Sequence, residues 1–260
     1  EQETCIFARG KDKEIKKLSS ITFPHSLGLF YSTFTDYLGF KPNSDEWKVM
    51  SLASYSKNNL YYKRIKKLIN FTKNGFELDL KYFDYYLFDK RKNLFSEKLI
   101  NLFSKPNRLK NSKIENFHSN VAFAMQNVFI DAVFHLLKVL KSKSNNSRTS
   151  NLIFTGGCAL NGVFNGMLDF KKSSYKNSYV SFAPDDSGVA IGAGMLAHHK
   201  LSKKKRIISE VKTNYLGPEF SDNQILSVLK NNKIKYQKYK NIEIKIAELL
   251  NENRLVGVFN

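Results

Sequence analysis

Two stretches of this chain share one grammar. "NLIFTGGCALNG" (151–162) and "YVSFAPDDSGVAIGAG" (179–194) each run from an apolar, strand-like segment through a turn into a helix of small residues. Repeated strand, turn and helix admit few architectures. They predict α/β with mostly parallel pairing in this half, because parallel neighbours need a crossover connection. Gly156 and Gly157 carry no Cβ, so the backbone can turn sharply there and another group can come close. A helix start offers unpaired N–H groups and a positive dipole end, which suits a phosphate. The competing reading is that tight turns let helices pack on a sheet.

The second turn adds Asp185 and Asp186 at the carboxyl end of a strand, where open α/β sheets place ligands. A carboxylate there can hold a hard metal or move a proton, or it can cap the next helix. For Asp185 the cap or plain exposure is favoured.

The remaining elements are legible from spacing. Residues 1–24 read as the tail of a strand, a polar turn at "KDKE" and a break at Pro24. Leu27, Phe30, Tyr31, Phe34 and Leu38 lie at helical spacing, ended by Gly39 and Pro42. Asp45-Glu46 starts a short helix carrying Trp47, Val49, Met50 and Leu52. "FELDLKYF" (76–83) alternates as a strand, with Asn74-Gly75 as its turn. Val121, Met125, Val128, Ala132, His135, Leu136 and Val139 mark the longest amphipathic helix, over about 114–140. It runs into the polar loop "KSKSNNSRTS". The periodicity lapses near 205–217, where a boundary is expected. Beyond it a helix at 221–231, a strand "IKYQKY", a helix at 241–251 and a strand "LVGVFN" would begin a second α/β unit.

Composition narrows the partners. The formal charge of +19 and pI near 9.7 first suggest nucleic acid or an anionic membrane. The lysines are scattered along the whole chain with no basic stripe and interleaved aromatics, so that reading is set aside in favour of a composition bias. Cys5 and Cys158, the only cysteines, form neither a disulfide framework nor a four-ligand zinc site, and a reduced cytoplasmic setting is the default. The sequence has no apolar run of about 18 residues, so no membrane span is expected. With no initiator methionine and an apolar last stretch "LVGVFN", the chain is expected to be a piece of a longer protein.

Three blocks, "FPHSLGLFYSTFTDYLGFKPNSDEWKVMSLASY", "LIFTGGCALNGVFNGML" and "YVSFAPDDSGVAIGAGML", resemble in order and spacing the carbamoyltransferase family that includes the nodulation and antibiotic O-carbamoyltransferases. The long helix with Gln126 lies between the first two, and "NYLGPEFSDNQILSVL" resembles the opening of the family's C-terminal domain. The resemblance implies an actin-like ATPase (ribonuclease H-like, Kae1-like) domain over 1–208, lacking its N-terminal part, and the truncated start of a YrdC-like α/β domain over 209–260. In this family the YrdC-like part makes carbamoyladenylate from carbamoyl phosphate and ATP. The larger part passes the carbamoyl group to an acceptor hydroxyl. ATP with Mg2+, and a divalent metal such as iron that polarises the carbamoyl carbonyl, are the implied cofactors. Carbamoyl phosphate, ATP and a hydroxyl-bearing small-molecule or sugar-type acceptor are the implied partners, and a homodimer is compatible.

Residue by residue, the resemblance assigns nucleotide contacts to Gly156, Gly157, Asn161, Gly188 and Glu46. Asp186 falls on the aspartate that completes a metal site with two histidines, giving it a catalytic role. Lys48 falls in the family's "E-x-K" block as a catalytic contact for phosphate or carboxylate, against the plainer reading of a solvated helix lysine. Ser51 stands where the family has glycine, and "SYSK" replaces a proline and glycine turn. The two metal histidines and an arginine-rich block belong to segments outside this chain, so the isolated 260 residues are expected to be inactive. None of the histidines present matches the missing pair; His25 reads as a cap or core residue. Two other readings stay open: a sugar-kinase-like phosphotransferase of the same fold, and a non-catalytic nucleotide- or polyanion-binding module.

Overall fold

A computed structural model describes residues 2–12, 14–144, 151–168, 175–202, 215 and 217–259. The chain opens in more than a strand tail: β1 (Glu3–Lys11) and β2 (Glu14–Thr22) form an antiparallel hairpin around Asp12, which takes a positive φ of 53°. Lys17 and Glu3 meet across it at 2.6 Å. After Pro24, α1 (Leu27–Tyr37) starts at Ser26, whose Oγ accepts the Leu29 N–H at 3.2 Å. All five residues of the expected apolar stripe, Leu27, Phe30, Tyr31, Phe34 and Leu38, are buried. The carbonyls ending this helix are capped from afar, Arg108 donating to Leu38 O (2.6 Å) and Gly39 O (3.0 Å).

Then come α2 (Glu46–Ala53), α3 (Tyr62–Lys66) and a second hairpin of β3 (Ile69–Thr72) and β4 (Gly75–Leu78). The strand expected over 76–83 is therefore shorter. Past Leu78 the backbone tightens into 3₁₀ turns at Leu80–Tyr82 and Tyr85–Lys90 before α4 (Glu97–Phe103).

The axis of the core is α5 (Asn116–Lys143). Its 3.6-residue apolar period buries Val121, Met125, Val128, Phe129, Ala132 and Leu136, and α1, α2, α3 and β4 lie against it. Tyr31 meets Phe129 edge-on at 5.4 Å, and Phe30 and Phe34 meet at 5.1 Å. By length and composition α5 is apolar enough to cross a membrane, but most of its apolar window is buried inside the protein.

Beyond α5, β5 (Asn151–Phe154) leads through a 3₁₀ turn at Gly157–Leu160 into α6 (Gly162–Met167), then β6 (Asn177–Val180) and α7 (Ser187–Ser202). The chain is thus mixed helix and sheet. The described strands form three two-stranded sheets, and only β5–β6 is parallel.

Two units divide the chain, Glu1–Ile208 and Ser209–Asn260. Most of 205–217, and residues 145–150 of the polar loop, lie outside the described residues. In the second unit α8 (Asp222–Asn231) and α9 (Ile242–Asn251) form where the apolar spacing predicted them. A capping box between Ser221 and Gln224 starts α8. The strands expected at 234–239 and 255–260 are not found among the described residues. Both stretches are exposed, and an extended segment with no neighbour has no ladder to join.

Candidate functional site

The parallel register of β5 on β6, from Asn151 opposite Asn177 to Phe154 opposite Val180, brings the carboxyl ends of both strands together. The two turns that leave them are bonded to each other. Gly156 N–H donates to Pro184 O at 2.6 Å, and Thr155 Oγ1 donates to the same carbonyl at 2.8 Å. Gly156 takes a φ of +95°, a region L side chains rarely adopt. A Cβ at Gly156 or Gly157 would meet nothing within 4 Å, so space is open beside this turn. The first bond of the 3₁₀ turn runs from Ala159 N–H to Gly156 O (2.8 Å), which leaves the Gly157 and Cys158 amides ahead of it.

Gly188 is a glycine for a different reason. A Cβ there would lie 2.1 Å from Ala183 O, so the residue closes the "PDDSG" turn, its N–H donating to Asp185 O at 3.0 Å. Asp185 Oδ1 accepts the Ser187 hydroxyl (2.5 Å) and amide (3.3 Å), which hold its carboxyl below the usual range. Asp185 thus ties the turn just ahead of α7 to the first residue of that helix. Asp186 is exposed and has no side-chain hydrogen bond or ion pair among the described residues.

Asn161 is built into the interior. Its Oδ1 accepts the Phe164 N–H (2.9 Å), capping α6, and also Gln126 Nε2–H (3.0 Å). Its Nδ2–H donates back to Gln126 Oε1 at 3.1 Å, and the same oxygen accepts the Tyr31 hydroxyl at 2.8 Å. All three residues are buried. Glu46 closes the group from α2, its Oε1 accepting the Ser32 hydroxyl and the Asn43 amide, each at 2.7 Å. Burial first, and then the charge of Glu46, raise the Tyr31 phenol well above its ordinary value. Glu46 and Asn161, from separate sequence blocks, therefore flank one buried tyrosine.

Tyr31 and Gln126 were not singled out as site residues from sequence. Tyr31 reads as one more member of an apolar stripe. Gln126 carried a signal, being a polar residue whose neighbours one turn away on the helix, Ala122, Phe123, Phe129 and Ile130, are apolar.

Lys48 is half-exposed, its Nζ 3.0 Å from Asp45 Oδ1 and 5.4 Å from the Trp47 ring centroid. The Lys48 ammonium hydrogen-bonds the Asp45 carboxyl and holds it below the ordinary range. Burial pushes the Cys158 thiol up to about 12 and Cys5 to about 11, so neither is a nucleophile at neutral pH. Three of the five histidines serve the scaffold: His25 Nδ1 accepts the Leu78 amide (3.0 Å), and His118 Nδ1 accepts Glu115 N–H (2.9 Å) at the start of α5. His135 bonds Thr72 O (2.8 Å) and Gly75 O (2.9 Å). Among the described residues no three His, Cys, Asp or Glu are grouped to hold a metal ion.

A family model described as Carbamoyltransferase N-terminus matches residues 4–195. The Synechocystis protein sll1178 is 31% identical over 267 residues, covering 100% of this chain and 42% of its own length. Nodulation protein NolNO of Sinorhizobium fredii is 24% identical over 257 residues, covering 97% of this chain and 35% of its own. Nodulation protein NolO of Bradyrhizobium diazoefficiens is 26% identical over 221 residues, with 84% and 36% covered. This chain therefore spans less than half the length of the relatives it matches.

Proposed function

This chain belongs to the carbamoyltransferase family, and from that premise we propose that it carries the nucleotide-facing wall of an ATP-dependent O-carbamoyltransferase. The observation that carries the reading is the bonded pair of strand-end turns, with open space at Gly156 and Gly157. Backbone amides at a glycine turn can approach a phosphate closely, and the residues fit a nucleotide on that ground. In this reading the nucleotide phosphate lies against Gly156 and Gly157, with Glu46 and Asn161 behind the turn. Gly188 shapes the second turn.

In the proposed reaction water releases carbamate and inorganic phosphate from carbamoyl phosphate, and a carbamate oxygen attacks the α-phosphorus of ATP, bound with its Mg2+, as pyrophosphate leaves. An acceptor hydroxyl then attacks the carbamoyl carbon of the adenylate as AMP leaves and the hydroxyl proton is lost to base. The hydroxyl is a poor nucleophile, so the site must stabilise charge developing on the carbamoyl oxygen. Lys48 is proposed to hold a phosphate or carboxylate, exchanging its Asp45 partner for it. For a divalent ion the two strand-end turns supply, among the described residues, the carboxylate of Asp186 without a side-chain partner, and do not by themselves make a site. Asp186 is proposed as one ligand, the others coming from outside these 260 residues, and no step here runs through the ion. The finer architecture, an actin-like Kae1-like domain over 1–208 and the start of a YrdC-like domain over 209–260, belongs to the same proposal. Two reduced cysteines and the use of ATP suit a cytoplasmic setting.

The test uses the full-length protein with carbamoyl phosphate and ATP, following pyrophosphate release and carbamoyladenylate by mass spectrometry. Adenylate and a carbamoylated hydroxyl compound are expected. If neither forms, the reading is wrong. The isolated 260 residues are expected to show no turnover.

A further inference from the structure

The buried amide pair of Gln126 and Asn161 uses up nearly all of the hydrogen-bonding capacity of Asn161. Its Oδ1 has two lone pairs, and both are taken, by Phe164 N–H and by Gln126 Nε2–H. One of its two Nδ2 hydrogens goes to Gln126 Oε1. Its backbone N–H donates to Cys158 O (3.2 Å), and its backbone carbonyl accepts Asn165 N–H (3.0 Å). The Nδ2 group also lies against the Tyr31 hydroxyl, where it partly offsets the effect of burial on the phenol. The arrangement also fixes which way both amides point. Phe164 N–H needs an oxygen, which sets Asn161 Oδ1, and the Asn161 amide so fixed sets Gln126, whose Nε2–H must meet Oδ1 and whose Oε1 then accepts from Asn161 Nδ2–H and the Tyr31 hydroxyl.

We infer that Gln126 and Tyr31 are positioning residues for the glycine-turn site: through the buried amide pair of Gln126 and Asn161 they hold the stretch from Gly156 to Asn161 in one conformation. The inference rests on the proposed nucleotide site and adds to it the residues that orient it. The link is direct, because Asn161 ends the stretch that Gly156 begins and caps the helix that follows. Around the amide pair lie Tyr31, Glu46 and Cys158, and burial keeps the phenol and the thiol neutral through the physiological range.

The discriminating variant is Gln126→Glu in the full-length protein. An ionised carboxylate at 126 can still accept from Tyr31 and from Asn161 Nδ2, but it presents a lone pair to Asn161 Oδ1 where wild type presents an N–H. Protonation restores the donor, and burial beside Glu46 raises the pH at which that happens. ATP affinity, read by calorimetry from pH 6 to pH 8.5, is expected to fall about tenfold at the alkaline end and to recover at the acid end. Wild type shows no such step. Tyr31→Phe, which deletes one hydroxyl and keeps the ring, is expected to weaken ATP binding about threefold at every pH and covers the case in which Gln126→Glu does not fold. Equal ATP affinity in wild type and both variants overturns the inference, as does a loss at 126 that is independent of pH. Carbamoyladenylate formation by wild type is measured in parallel. ATP binding with the expected pH step but no adenylate leaves the positioning role standing and sinks the proposed reaction. A wild-type protein that does not bind ATP overturns both.

Discussion

The α1–α5 region and the β5–α7 region obey different rules. The first buries large aromatic and aliphatic side chains around α5, with Phe30, Phe34, Tyr37 and Met125 fully enclosed. The second has a 16-residue helix, α7, with no buried residue, and a two-stranded parallel sheet with Ile153 72% exposed and Tyr179 55% exposed. Yet the second carries both turns of the candidate site. Its geometry is set by a few directed bonds, to Pro184 O and to Gln126, where the first is set by the volume of apolar side chains. The difference teaches that scaffold and site here fail in different ways. Loss of packing should unfold the protein, whereas loss of a directed bond should blunt binding and leave the fold in place.

The largest effect tests the scaffold. Phe34→Ala empties a fully buried position against Phe30 and Phe103 and is expected to cost about 3–5 kcal/mol, measured by urea denaturation. A cost below about 1 kcal/mol would show that the α1–α5 contrast is overdrawn. Next comes Gly188→Ala. Its Cβ would fall 2.1 Å from a carbonyl oxygen, so the "PDDSG" turn must open, at an expected cost of about 1–3 kcal/mol and with faster proteolysis confined to β6–α7.

A smaller effect is a pH slope in the scaffold. Burial lowers the His118 pKa, and its Nδ1 must stay unprotonated to accept Glu115 N–H. The unfolded chain then takes up a proton at a higher pH than the native one. His118 therefore contributes stability above its unfolded value near 6.5, and that contribution is lost as pH falls through the depressed native value. The Tm should rise from pH 5 to pH 7, and His118→Gln should flatten the rise. A Tm that falls over this range, or a slope unchanged in His118→Gln, contradicts the assignment.

The smallest stability effects test the site. Gly157→Ala meets nothing within 4 Å and should change stability by less than about 0.5 kcal/mol while lowering ATP affinity. Lys48→Ala removes only a solvent-screened ion pair with Asp45 and should likewise leave the Tm in place while reducing carbamoyl transfer. If either variant keeps full function, that residue leaves the proposed site.

Much of this division was legible in the residues alone. Helical spacing marked α1 and α5, since a 3.6-residue period is written within one segment. Asn74-Gly75 marked the second hairpin, though only one of its strands, and the two strand–turn–helix junctions marked β5–α7. The family blocks pointed to the carbamoyltransferases, and the match over residues 4–195 places the chain there. Local pattern misled where a partner was needed. The segments at 234–239 and 255–259 alternate like strands but lie exposed without a ladder.

The residues alone marked the longer helices, α1, α5, α8 and α9 among them, but not α3 or α4, and they placed two glycines at a strand end. Those are properties of neighbours, governed by steric freedom and periodicity within a few residues. Tertiary structure was needed to show that Tyr31, Gln126 and Asn161, far apart in the chain, share one hydrogen-bond network, that Asp185 is bonded to Ser187 while Asp186 has no side-chain partner among the described residues, and that Gly188 is required by a carbonyl 2.1 Å from where a Cβ would be. A hydrogen bond needs two groups at one distance and angle. That condition is met only when separate elements have already packed.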